Sequence, residues 1–195
     1  MAIKEVAIKE VASVEVAEVN VLVLVGSLRS ASVNRKLAEL AVGTAPDGIR
    51  LEVHPGLEEL PFYNEDLDTD TPPGPVSALR AAAGRADAVL VVTPEYNGTI
   101  PAVLKNAIDW LSRPYGSSAV TGTPLAVIGA AQGRFGGTWA HDETRKSFGI
   151  AGAQVLEGGR FSLPIADLGG VDPADHSEVS AAVRRVVADL AAAVG

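Results

Sequence analysis

Apolar runs of strand length recur along the chain, each closed by a turn rich in glycine, proline or small polar residues and followed by a stretch with helical spacing of its apolar positions. Val21-Leu22-Val23-Leu24-Val25 has no polar alternation, as expected of a central parallel strand buried on both faces, and it stops at Gly26. Val33 to Ala45 carries Leu37, Leu40 and Ala41 at helical spacing and ends in Pro46-Asp47-Gly48. Ile49, Leu51 and Val53 alternate with other residues, two of them charged, which predicts a strand nearer a sheet edge. A proline-rich loop then leads to Pro72-Pro73-Gly74-Pro75. Proline is pre-organised for a helix's first turn, and a second helix is predicted to run to about Ala86.

Ala88-Val89-Leu90-Val91-Val92 is a further wholly apolar strand, ending in the loop Thr93 to Thr99. Pro101 opens a third helix, with Val103, Leu104, Ala107, Ile108 and Leu111 as one apolar stripe and Arg113-Pro114 as its end. Pro124 to Ile128 predicts a fourth strand, Gly129 to Gly137 a loop, Trp139 to Phe148 a fourth helix, and Ala153 to Leu156 a short fifth strand. The last helix is predicted to start on a capping box, Asp175 with Glu178, and to bury Val179, Val183, Val186, Leu190 and Val194. Strands alternating with helices imply a five-stranded parallel sheet wound on both faces. Such sheets bind ligands outside the carboxyl ends of their strands, at a topological switch point. The loops after strands one, three and four are therefore the candidate binding loops.

Residues 1–18 break this rhythm. Ala-Ile-Lys-Glu-Val occurs twice there, a period of five that fits neither a helix nor a strand face, and no secretory signal pattern is present. The expected organisation is a low-complexity extension, 1–18, before one domain, 19–195. The length of 195 residues suits one such domain, and the absence of cysteine removes disulfides, thiolate metal sites and cysteine nucleophiles together. That composition suits a cytoplasmic protein, and no apolar run approaches the roughly 20 residues of a membrane span. With 24 acidic against 16 basic side chains the net charge is -8, which repels a nucleic-acid backbone. His54, His141 and His176 are widely spaced, without a metal-ligand pattern.

The first loop, Gly26 to Asn34, has the position of a phosphate site, because the N–H groups of a helix's first turn are unpaired and its dipole favours an anion. Ser27, Ser30 and Ser32 supply hydroxyls, Arg29 a charged fork and Asn34 an amide. Helix capping alone explains the serines and the asparagine, but it does not call for the arginine. The loop lacks both G-x-G-x-x-G and G-x-x-x-x-G-K-[ST], which disfavours a dinucleotide pyrophosphate and a nucleoside triphosphate, and a phosphatase of this architecture would need a cysteine. A terminal monophosphate fits, and FMN is the natural candidate. In the second loop Tyr96 can lie beside a planar ring, Asn97 can hydrogen-bond its edge and Gly98 allows close backbone approach. The third, Ala130 to Gly137, adds glycine at the same sheet edge.

These segments resemble the NADPH-dependent FMN reductase family, which includes quinone, chromate and azo-dye reductases. The likeness rests on Gly26-Ser27-Leu28-Arg29 with Ser32 and Asn34, on Leu60-Pro61-Phe62-Tyr63-Asn64-Glu65-Asp66-Leu67, on Thr93 to Trp110, and on Gly133-Arg134-Phe135-Gly136-Gly137. It implies a flavodoxin-like fold, non-covalent FMN, hydride taken from NAD(P)H as co-substrate, and a dimer or dimer of dimers. By position Ser27, Arg29, Ser32 and Asn34, with Val33, would hold the phosphate. Pro94, Glu95, Tyr96, Asn97 and Gly98 would face the isoalloxazine, joined by Gln132 and Gly133 of the third loop. Many relatives have a serine where this chain reads Ala131-Gln132, a departure that bears on any contact from there to the flavin pyrimidine edge.

The expected reaction is ping-pong: NAD(P)H gives hydride to FMN, and a quinone, chromate, azo compound or free flavin then takes the electrons. The cofactor carries that chemistry, so no catalytic acid, base or nucleophile and no metal ligand is assigned. Glu95 in a turn and His141 on a helix surface are ordinary structural or solvated features. The alternative is a flavodoxin-type FMN electron carrier, which the acidity would match and which Arg29 and the second loop oppose. Trp110, Leu111, Pro114 and Tyr115, close to Phe62 and Tyr63, predict an apolar patch that a monomer would expose, hence a homo-oligomer, which the resemblance implies is a homodimer or homotetramer.

Overall fold

A computed structural model of the protein describes residues 18–194, so the predicted extension, Glu18 apart, lies outside the described residues. The elements are β1 (Val19–Val25), α1 (Val33–Gly43), β2 (Ile49–Val53), α2 (Gly74–Arg85), β3 (Ala88–Val92), α3 (Ala102–Leu111), β4 (Pro124–Ala131), α4 (Thr138–Ile150), β5 (Gln154–Pro164) and α5 (Ser177–Ala192), with four short 3-10 turns between them. All strand pairs are parallel, in the order β2-β1-β3-β4-β5. This is the flavodoxin-like arrangement expected.

The pattern of burial explains why the sheet holds two layers of helix. Alternate β1 residues point to opposite faces: Val21, Val23 and Val25 pack with α1 and α5, and Leu22 and Leu24 with α2, α3 and α4. The chain first crosses from β1 out to β2 and then back past β1 to β3. Because such crossovers are right-handed, the reversal puts α1 and α2 on opposite faces. The loop leaving β1 turns toward one layer and the loop leaving β3 toward the other. A crevice opens between them, at the sheet's switch point.

Three boundaries differ from expectation. β4 continues past Ile128 to Ala131, and β5 reaches Pro164 instead of stopping near Leu156, because Gly129, Ala130 and Ala131 pair with Ser162, Leu163 and Pro164. Gly129 resembles a loop residue in sequence, but in the sheet it marks close packing: a Cβ there would lie 1.9 Å from the Thr93 carbonyl oxygen. Gly158 and Gly159 likewise sit where the pairing slips, between Leu125 and Val127, and not at a strand end. The capping box does not form. Asp172 caps the short turn Pro173–Asp175 by accepting from the Ala174 N–H at 3.1 Å, and α5 begins after His176 without a side-chain cap, so Asp175 stands one position too early.

The aromatic cluster at the end of α3 also divides. Trp110 and Leu111 are fully buried, with Trp110 Nε1 donating to the Pro61 carbonyl at 2.8 Å and Tyr63 packed edge-on to the indole. Phe62 and Tyr115 remain 83% and 80% exposed. The expected cluster is therefore less exposed than the sequence implies, with Phe62, Pro114 and Tyr115 as its exposed members.

Candidate functional site

The crevice is built by close approach of backbone. The Gly26 N–H donates to the Val92 carbonyl at 2.9 Å, and a Cβ on Gly26 would lie 2.3 Å from Thr93 Oγ1, so only glycine lets β1 and β3 end side by side. Beyond Gly26 the chain turns through Ser27 to Ser32, where the Arg29 carbonyl accepts from the Ser32 N–H at 3.1 Å. Ser32 then caps α1, its hydroxyl accepting from the Asn34 N–H at 3.2 Å. The first turn of α1 holds no acidic residue, so its positive end is not neutralised locally.

A cavity of about 330 Å³ occupies this end of the crevice. The first loop contributes Ser27, Arg29, Ser32, Val33 and Asn34, the second Pro94, Glu95 and Tyr96, and the third Gln132 and Gly133, so ten of the twelve expected residues meet in one place. Asn97 and Gly98 do not line it. They form the tip of a two-residue turn, with positive φ at both and paired N–H···O bonds between Tyr96 and Thr99 at 3.1 and 3.2 Å, and Gly98 faces the ring of Trp139. Ala130, Ala131 and Ile165 complete the wall. Of these Ile165 gave no sequence signal; it arrives because β5 runs to the same sheet edge.

The donor set suits an anion. Ser27 is buried and lines the cavity. The Arg29 side chain is exposed and makes no ion pair among them. The Val33 N–H belongs to the first helical turn, where helix geometry offers no partner. Asn34 differs: its amide is taken at both ends, donating to the Ala130 carbonyl at 2.9 Å and accepting from the Ala130 N–H at 2.8 Å. It shapes the wall and is not free to turn toward a ligand.

The second loop is held from α4. Glu95 accepts from the N–H groups of Trp139 and Ala140, and the Thr99 hydroxyl donates to Glu143. His141, expected on a helix surface, is instead 2% exposed beneath the crevice, because α4 turns that face to the ends of β3 and β5. Its Nε2 lies 2.9 Å from the Thr93 carbonyl, which can only accept, so Nε2 carries the proton; in the neutral ring Nδ1 then accepts from the Ser162 hydroxyl at 2.7 Å. Burial holds its pKa below the usual histidine value, against a smaller upward pull from the Thr93 contact and from Glu95 and Asp142. His141 is a structural crosslink at neutral pH.

A 2-1-3-4-5 parallel sheet with a hydroxyl- and arginine-bearing loop at the β1/β3 switch point defines a flavodoxin-like protein with a site for a phosphorylated ligand. More narrowly, the chain belongs to the NADPH-dependent FMN reductase family, whose model matches residues 19–167. It is 42% identical over 151 residues to a quinone reductase of Pseudomonas putida, a span covering 77% of this chain and 78% of that protein. Its structure is similar to the flavoenzyme NAD(P)H:(acceptor) oxidoreductase FerB from Paracoccus denitrificans, with a TM-score of 0.79 at 31% identity over 90% of this chain and 96% of that one. A flavodoxin from Pseudomonas aeruginosa is more distant, at TM-score 0.53 and 22% identity over 90% and 98% of the two chains, and shares the fold alone.

Proposed function

We propose that this protein is an FMN-dependent NAD(P)H oxidoreductase that reduces a quinone or a similar small acceptor. The observation that carries the proposal is the convergence, at one switch point, of an unneutralised helix start bearing Arg29 and Ser27 with the loop Pro94–Tyr96, in a chain of this family. When bound, FMN supplies the centre through which NAD(P)H and one proton reduce a quinone to its hydroquinone, leaving NAD(P)+.

The chain's own residues bind, orient and exclude water. Ser27, Ser32 and the Val33 N–H offer donors at the positive end of α1, and Arg29 adds a charged donor from the rim. Pro94, Glu95 and Tyr96 form the wall on the ring side, with Gln132 and Gly133 opposite and Ile165 closing off water. Asn97 and Gly98 set the turn that presents Tyr96. Asn34 and His141 fix the ends of β3, β4 and β5 under the site. No side chain is required to exchange a proton with substrate.

The same reading makes residues 19–195 one functional domain, working as a cytoplasmic homodimer or homotetramer, with the exposed rings of Phe62 and Tyr115 favouring a contact between copies. The decisive experiment is to saturate the purified protein with FMN, measure the affinity, and follow NAD(P)H oxidation with and without a quinone. Saturable FMN binding and quinone-dependent oxidation are expected. Absence of FMN binding refutes the proposal, and FMN binding without NAD(P)H oxidation points to the electron-carrier alternative.

A further inference from the structure

α4 begins in an unusual way. Gly136 and Gly137 precede it with φ of +63° and +96°, its own N-cap residue makes no side-chain hydrogen bond, and its first turn contains no acid. The unpaired N–H groups that every helix start presents are met from outside: one oxygen of Glu95 accepts from the Trp139 N–H at 3.1 Å and from the Ala140 N–H at 3.3 Å. These contacts reach across 44 and 45 residues of chain, from the loop that follows β3. The rest of that loop is tied to the same helix. The Thr93 carbonyl accepts from His141, Thr99 donates to Glu143, and Gly98 lies against the Trp139 ring.

We propose that Glu95 is a positioning residue for the ring-facing loop, its carboxylate serving as the missing N-cap of α4 and thereby holding Pro94 to Tyr96 at the cavity while cancelling the helix's positive end beside it. The inference rests on the FMN-binding reading above. It assigns Glu95 two separable effects. Geometry comes from an oxygen that accepts two N–H groups, which the isosteric amide of glutamine can reproduce. Charge compensation comes from the carboxylate alone, because a neutral glutamine leaves the partial positive charge of the helix start unopposed next to the ring side.

The test compares full-length wild type with Glu95→Gln and Glu95→Ala, reading affinity for riboflavin and for FMN and the midpoint potential of bound flavin. Glu95→Ala is expected to weaken riboflavin and FMN alike by about tenfold, the usual scale of a lost N-cap, because the ring loop and not the phosphate contact is disturbed. Glu95→Gln is expected to keep affinity within about threefold, since an N-cap amide accepts nearly as well as a carboxylate. Its flavin potential should nevertheless move to a more positive value, as an uncompensated positive end favours added electron density. Faster amide exchange at Trp139 and Ala140 in the alanine variant, restored by glutamine, would locate the effect at the cap.

If Glu95→Ala does not fold, the glutamine variant decides by its potential. A wild-type potential in Glu95→Gln overturns the proposal, as does a folded Glu95→Ala with unchanged riboflavin affinity. If wild type itself binds neither riboflavin nor FMN, the functional reading falls, whereas failure of the variants alone removes only the role of Glu95.

Discussion

Asn34→Ala should cost more stability than removal of any other polar side chain in the first loop. β3 ends at Val92 while β4 runs on to Ala131, so the groups of Ala130 on the β3 side have no strand to pair with. The Asn34 amide takes the place of the absent peptide, giving one donor at 2.9 Å and one acceptor at 2.8 Å. Asn34 is 3% exposed and Ala130 is fully buried. Removing the amide leaves a buried N–H and a buried carbonyl unsatisfied, at about 1–3 kcal/mol each. Because Asn34 and Ala130 both line the cavity, water can reach part of the vacated space, which favours the lower half of the sum, about 2–4 kcal/mol. With a urea slope of about 2 kcal/mol per molar, the midpoint for the flavin-free protein should fall by about 1–2 M. Asn34→Asp keeps the acceptor but loses the donor, and it should lie between the two. The assay is urea unfolding followed by circular dichroism. A midpoint for Asn34→Ala that corresponds to less than about 0.5 kcal/mol, the range of ordinary surface substitutions, would refute the strand-substitute role.

Arg29→Ala should weaken FMN binding about ten- to a hundredfold, leave riboflavin affinity unchanged and shift the stability of the flavin-free protein by no more than about 0.5 kcal/mol; equal losses for both flavins by fluorescence titration would remove its phosphate role. His141 has a folded-state pKa below its unfolded value of about 6.5, so its stabilising contribution is present in full above that pH and is lost as pH falls from there through the folded pKa. His141→Gln should flatten stability on the acid side of pH 6.5 in urea titrations, leaving a smaller slope from His54, whose pKa burial also lowers; an unchanged pH profile would contradict this. A double change of Phe62→Ser and Tyr115→Ser should reduce the mass seen by light scattering without altering the melting of the subunit, and a wild-type protein that is monomeric at all concentrations would reject the oligomer.

The fold could be read from sequence wherever burial was two-sided. β1 and β3 carry unbroken apolar runs because both faces are covered, and β2 alternates because it is an edge, so parallelism and the central or edge place of these strands followed from local pattern, whereas the flavodoxin-like arrangement came from the family resemblance. The carboxyl ends of β4 and β5 could not be read this way. Gly129 and Gly159 are small because of what lies across from them, the Thr93 carbonyl and the Ala126 side chain, and one-dimensional pattern contains no such partners. The site shows the same division. Hydroxyls and an arginine after an apolar strand make the first loop a candidate phosphate loop by chemistry alone. That Asn34 faces inward to Ala130, that Glu95 serves a helix starting more than 40 residues later, and that His141 is buried depend on which elements become neighbours.

A net charge of -8 opposes, at long range, an anionic cofactor and an anionic co-substrate, and the placement of the charges resolves this. At physiological ionic strength exposed charges are screened beyond about 8 Å, so the sign of the whole chain matters less than the sign of its nearest groups. Glu65, Asp66, Asp68 and Asp70 lie in the segment leading to α2, where Asp68 pairs with Arg80 at 2.7 Å, and Asp172, which faces α1, is paired with Lys36. Near the cavity the first turn of α1 carries no acid, and the one carboxylate in the wall, Glu95, has its charge directed onto the start of α4. The two helix starts at the crevice are thus treated oppositely. That of α1 is left positive beside Arg29, where a phosphate would need it, and that of α4 is neutralised by the chain itself, beside the ring-facing loop. An added carboxylate in the first turn of α1, as in Arg35→Glu, would erase this asymmetry without touching the ring side.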